Sequence, residues 1–74
     1  MDYRSWNVKQ FAEWVFSITG SEKTRKICQD EEFDGPYMQI FLDESYFLTY
    51  GFPWGPFRKL HRAARDIIDR ANIE

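Results

Sequence analysis

Seventy-four residues carrying a formal net charge of −2, with 43% hydrophobic and 30% charged side chains, exclude several classes of protein at once. The chain is too short for more than one domain and too apolar for disorder, and it holds no apolar run near the roughly 20 residues that span a bilayer. The mild acid excess argues against wholesale nucleic-acid binding, and the lone cysteine, Cys28, excludes an internal disulfide. Met1-Asp2-Tyr3-Arg4-Ser5-Trp6 has no apolar stretch behind it of the kind a signal peptide needs, so the expected location is intracellular and cytoplasmic. A chain this small buries only about 60% of its unfolded surface. Its three Trp, four Tyr and seven Phe supply the bulky core that such a chain requires.

In chain order, the first helix signal is Trp6-Asn7-Val8-Lys9-Gln10-Phe11. Asn7 suits the cap, Gln10 three residues later can reach back, and Trp6 with Phe11 has the spacing of a hydrophobic staple. Phe11, Trp14, Val15 and Ile18 then repeat on one helical face, and Thr19-Gly20 ends the helix. Ser21 caps a second helix, Glu22 to about Gln29, with Ile27 and Cys28 inward and Lys23, Arg25 and Lys26 outward. Asp34-Gly35-Pro36 is a turn and start signal ahead of the apolar segment Tyr37 to Leu42. Asp43 is placed to cap a short helix from Glu44 to Tyr50, with Phe47 and Tyr50 inward. Gly51 closes that helix, and Phe52 is placed to fold back on Phe47.

Gly55-Pro56 reads as the start of the last helix, with proline at the first helical position. On that helix Phe57, Leu60, Ala64, Ile67, Ile68 and Ala71 share one face. Arg58, Lys59, Arg62, Arg65, Asp66, Asp69 and Arg70 share the other. Connections are short and no strand alternation or repeat occurs, so the expected fold is a compact all-α bundle of five helices with a long C-terminal helix.

Charge is unevenly spread. Asp30, Glu31, Glu32, Asp34, Asp43 and Glu44 form a block with no cation among them, while Arg58, Lys59, Arg62 and Arg65 form one with no carboxylate. A helix N-terminus carries unpaired N–H groups and the positive end of the helix dipole, so the second block reads as anion-seeking. Against this stands the plainer reading of a solvated face, with Arg62–Asp66 and Arg65–Asp69 absorbed in i,i+4 pairs. Trp54 either plugs the base of the last helix, which is the expectation, or protrudes as an anchor. Cys28 is expected as a small buried apolar group, and His61 as a packed boundary residue. No nucleophile, base and orienting group occur together, His61 has no metal-ligating partner, and no glycine-rich phosphate loop is present. Neither an enzyme nor a cofactor-binding or metal-binding protein is expected.

The ordered set Trp6, Phe11-x-x-Trp14-Val15, Phe33-Asp34-Gly35, Phe47-x-x-Tyr50-Gly51-Phe52, then Gly55 and a long last helix resembles the sterile alpha motif (SAM) domain from Trp6 to Ala71. The departures are Thr24 and Cys28 where the family carries aromatics, one residue more between Gly35 and Gly51, and Pro53-Trp54-Gly55-Pro56 in place of a polar loop. The resemblance implies an interaction module of signalling or regulatory scaffolds. Its mid-loop surface would bind the end-helix surface of another SAM domain, of the same or a different protein. It puts Asp30, Glu31, Glu32, Asp34, Asp43 and Glu44 on the mid-loop, and Trp54, Gly55, Phe57, Arg58, Lys59, Arg62 and Arg65 on the end-helix. A contact between unlike patches propagates from copy to copy unless its rotation closes a ring. Some SAM-like domains bind RNA hairpins instead. Lys23, Arg25, Lys26, Arg58, Lys59, Arg62 and Arg65 would then meet phosphates, with Trp54 or His61 stacking on a base. A monomeric module with no partner of its own is the remaining alternative.

Overall fold

The computed structural model describes residues 2–73. Helix α1 (Val8–Thr19) opens on the reciprocal cap read from the sequence. Asn7 Oδ1 accepts the Gln10 N–H at 2.8 Å, and Gln10 Oε1 accepts the Asn7 N–H at 2.9 Å. The Trp6 ring, however, meets Trp14 at 5.8 Å, and Trp14 in turn meets Phe11 at 6.0 Å, so the staple is relayed through a second indole. Helix α2 (Glu22–Asp30) follows Ser21, whose hydroxyl accepts the Thr24 N–H at 3.1 Å. Thr24 and Cys28 are fully buried and Ile27 is half-buried. Small side chains at a contact bring helix axes closer, which lets a helix with so thin an apolar stripe settle on α1.

Arg25 corrects the expectation that it faces outward. Its guanidinium lies 4.4 Å from the Phe16 ring centroid and is salt-bridged to Glu13 and Glu22, which clamps α2 to α1. Helix α2 stops at Glu32, which sits in the left-handed region at φ 56°. The Phe33 N–H then returns to the Cys28 carbonyl at 3.0 Å, a helix-stop geometry that usually recruits glycine.

Gly35–Leu42 is a 3₁₀ helix, not an α-helix. Three residues per turn place Gly35, Met38 and Phe41 in one inward line, and all three are buried. Gly35 has a steric role. A Cβ there would lie 1.9 Å from the Tyr3 carbonyl oxygen, and the Gly35 N–H donates to the Trp6 carbonyl at 2.9 Å. The N-terminal 3₁₀ turn (Tyr3–Ser5) thereby docks across this glycine and contributes Tyr3 to the core.

Helix α3 (Ser45–Tyr50) starts one residue later than expected, so Glu44 rather than Asp43 takes the cap position and makes no side-chain cap; Asp43 Oδ1, one residue further out, accepts the Ser45 N–H at 2.9 Å. Phe47 and Tyr50 are half-buried, and no α3 residue is fully buried. Gly51, at φ 70°, ends α3, and the Phe52 N–H reaches back to the Phe47 carbonyl at 3.1 Å. The Phe52 ring turns instead to Phe41, Tyr50 and Phe57, with centroids 5.7–6.1 Å away.

Helix α4 (Trp54–Ile73) begins two residues before the expected Pro56, its first internal bond running from the Phe57 N–H to the Pro53 carbonyl at 3.0 Å. Pro56 is therefore the third helical residue. It is tolerated there because first-turn N–H groups have no intrahelical partner. Helix α4 buries Phe57, Leu60, Ala64 and Ile68 against the 3₁₀ segment and α1, and leaves its charged face outside. The four α-helices and the 3₁₀ segment make an all-α bundle with a long C-terminal helix.

Candidate functional site: a basic groove and an acidic tyrosine face

Helix α3 divides the surface. At about 100° per residue, Glu44 and Leu48 fall on one side of it and Tyr46 and Tyr50 on the opposite side. The neighbours agree. Glu44 lines an open groove of about 710 Å³ along α4, with Trp54, Arg58, His61, Arg62 and Arg65. Tyr46 lines a smaller one of about 320 Å³ with Pro36, Tyr37 and Asp43.

In the larger groove, Trp54 is 46% exposed, its ring edge-on to Phe47 at 4.8 Å and nearly parallel to Phe57 at 6.4 Å. The expected plug is thus a braced and half-open indole. Phe57, at 1% exposure, lies behind the surface and supports it from the core. Gly55 is exposed, and a Cβ there would meet nothing within 4 Å, so packing does not require glycine at this point. The Phe41 carbonyl is only an acceptor, so the 2.9 Å contact from His61 Nδ1 makes that nitrogen the donor. This bond pins the middle of α4 to the 3₁₀ segment.

The expected i,i+4 pairs of Arg62 and Arg65 do not form. Asp66 pairs with Arg70 at 3.4 Å instead, the favoured orientation, with the acid N-terminal to the base. Among the described residues, Arg58, Lys59, Arg62 and Arg65 make no salt bridge at all. The backbone contributes less to anion attraction than the sequence implies. Prolines at 53 and 56 remove two of the first-turn donors and leave the N–H groups of Trp54 and Gly55. The positive character of this end therefore rests on side chains.

The acidic block does not stay together. Asp30 is paired with Lys26 at 3.4 Å, whereas Glu31 and Glu32 are exposed and make no salt bridge among the described residues. Asp34 buries one carboxylate oxygen without a hydrogen-bond partner and makes no side-chain cap, contrary to the capping role its position suggests. Asp43 is held below its ordinary carboxylate range by the backbone and side-chain hydrogen bonds from Ser45. Glu44, grouped with the acidic block by sequence, lies instead in the basic groove: the backbone passes from extended at Asp43 to helical at Glu44, and the two side chains line different grooves. Asp66 and Asp69 line the C-terminal end of the same groove. Lys23 and Lys26 are exposed on α2, while Arg25 is occupied by Phe16, Glu13 and Glu22 and is withdrawn from any basic surface.

Tyr37 carries no functional signal in the sequence. It is 51% exposed, rests on Phe33 at 5.3 Å, and lines the smaller groove with Asp43. It lies off the line of Gly35, Met38 and Phe41, yet Ile40, one 3₁₀ turn further on the same line as Tyr37, is buried, so the period alone does not set its exposure. Cys28 is fully buried, and desolvation pushes its thiol from 9.0 to about 12. Among the described residues no helix is long and apolar enough to cross a membrane. Compared with known proteins, the chain matches no family model, no curated protein and no solved structure.

Proposed function

We propose that this chain is a SAM-like protein–protein interaction module that joins copies of itself, or a related domain, head to tail within an intracellular signalling or regulatory scaffold. The basic groove of α4 receives the acidic face around Glu31, Glu32 and Asp43. One observation carries this reading. Four cations on one exposed helix face lack intramolecular partners, and no carboxylate of the 30–44 block is salt-bridged to them among the described residues. Complementary charge on separate faces steers encounter and sets docking geometry more than it sets affinity. The same cations, with Trp54 beside them, also suit a hairpin RNA. Against that stand Glu44, Asp66 and Asp69 in the same groove and the engagement of Arg25 elsewhere.

Complementary variants test the reading. Arg58→Glu with Lys59→Glu removes the basic face, and Glu31→Lys with Glu32→Lys removes the acidic one. Each variant alone is expected to be monomeric, and the two mixed are expected to form a capped 1:1 pair through the faces left intact. Failure of the mixture to pair, or tight binding of one RNA loop sequence by the wild type, would overturn the proposal.

A further inference from the structure

Exposed ion pairs are individually weak and are screened by salt, so the proposed contact needs a second ingredient to persist once formed. The structure offers one on each face. Tyr37, Trp54 and Leu48 are large apolar side chains at 51%, 46% and 79% exposure. Tyr37 belongs to the acidic face, with Asp43 lining the same shallow groove. Trp54 belongs to the basic one, beside Arg58. Leu48 stands one helical turn after Glu44, so α3 presents it on the groove side. The two rings are braced from beneath, Tyr37 by Phe33 and Trp54 by Phe47 and Phe57, so docking freezes little further freedom. A rigid aromatic surrounded by charge is the arrangement in which binding energy concentrates, with the charged rim excluding water.

We infer that Tyr37 of one copy seats against Trp54 and Leu48 of the next, making an aromatic anchor inside a ring of charge. The inference rests on the self-association reading above and specifies its contact. It also fixes polarity. Tyr37 against Tyr37 would bring carboxylates onto carboxylates, and Trp54 against Trp54 would bring guanidinium groups together, so only the head-to-tail pairing unites anchor and charge. Charges then govern the rate of encounter, and the anchor governs the lifetime of the contact.

The capped pair allows a direct test, since its two partners meet through a single contact. Leu48→Ser is placed in the partner that keeps the basic groove, and Tyr37→Ser in the partner that keeps the acidic face. Each is expected to raise the Kd by about tenfold or more, chiefly through faster dissociation, with the salt dependence of Kd unchanged. Tyr37→Phe, which keeps the ring, is expected to stay within about threefold of the parent. Leu48 is so exposed that its replacement leaves folding intact, and this variant reads the contact even where Tyr37→Ser disturbs Phe33. Parent partners that pair while Leu48→Ser and Tyr37→Ser pair just as tightly would overturn the anchor and leave the charge-mediated reading standing. Parent partners that never pair would overturn both.

Discussion

Glu32 is a residue where stability and association should pull in opposite directions. It ends α2 at φ 56°, in the left-handed region, with the Phe33 N–H closing the turn on the Cys28 carbonyl at 3.0 Å. A side chain with a Cβ pays about 1–2 kcal/mol for that conformation, whereas glycine adopts it freely. Glycine also loosens the unfolded chain, which takes back about 0.4–1 kcal/mol. Glu32→Gly is therefore expected to stabilise the fold by about 0.5–1 kcal/mol, which for a domain of this size raises Tm by about 3–6 °C. Thermal unfolding followed by circular dichroism at high salt, where self-association is suppressed, gives the measurement. Glu32→Gln serves as the control, because it removes the charge and keeps the backbone penalty. It should melt close to the wild type, while both variants weaken assembly at low salt. A Glu32→Gly protein no more stable than Glu32→Gln would refute the backbone reasoning. Undiminished assembly of both would remove Glu32 from the docking face.

Other expectations follow from the same structure. Gly35→Ala would place a Cβ 1.9 Å from the Tyr3 carbonyl oxygen, so the N-terminal turn must shift. Urea unfolding should show a loss of about 1–3 kcal/mol or more, and an unchanged midpoint would contradict the close approach. Cys28 has a folded pKa raised from 9.0 to about 12 by burial, so in alkali the unfolded chain releases its proton before the native one does. Stability from this group is full below pH 9.0 and falls towards pH 12 by at most about 1.4 kcal/mol per pH unit. A Cys28→Ala variant should lack that alkaline slope, and an equal slope in both proteins would contradict it. His61→Leu removes the donor to the Phe41 carbonyl and is expected to destabilise by about 1–3 kcal/mol; an unchanged urea midpoint would contradict that bond's role.

What was legible in the sequence was local. Asn7 with Gln10, Gly20, Ser21 and Gly51 act within four or five residues of themselves, so α1, the start of α2 and the end of α3 could be placed from spacing alone. The buried stripe of α4 was legible for the same reason, as a period carried over many turns. The helical type of Gly35–Leu42 was not, because an all-apolar run has no periodicity to read and the choice of 3₁₀ depends on packing against Tyr3, α3 and α4. Arg25 looked outward because only the arrival of Phe16 and Glu13 from α1 gives it an inward partner. The candidate site divided in the same way. Clustering of the cations was visible in the chain, but the separation of Glu44 from Asp43 depends on the backbone turning from extended to helical between them. The bond from His61 to Phe41 joins residues twenty apart, beyond any local rule. Tyr37 lies within an apolar segment where nothing local separates it from Ile40, which is buried one 3₁₀ turn later.

Sedimentation of the wild-type chain across protein concentration and salt tests the central claim most directly. The expected result is a weight-average mass that climbs with concentration at low salt, without stopping at a dimer, and declines as salt is added. A chain that sediments as a monomer at every concentration in low salt would contradict self-association through these two faces.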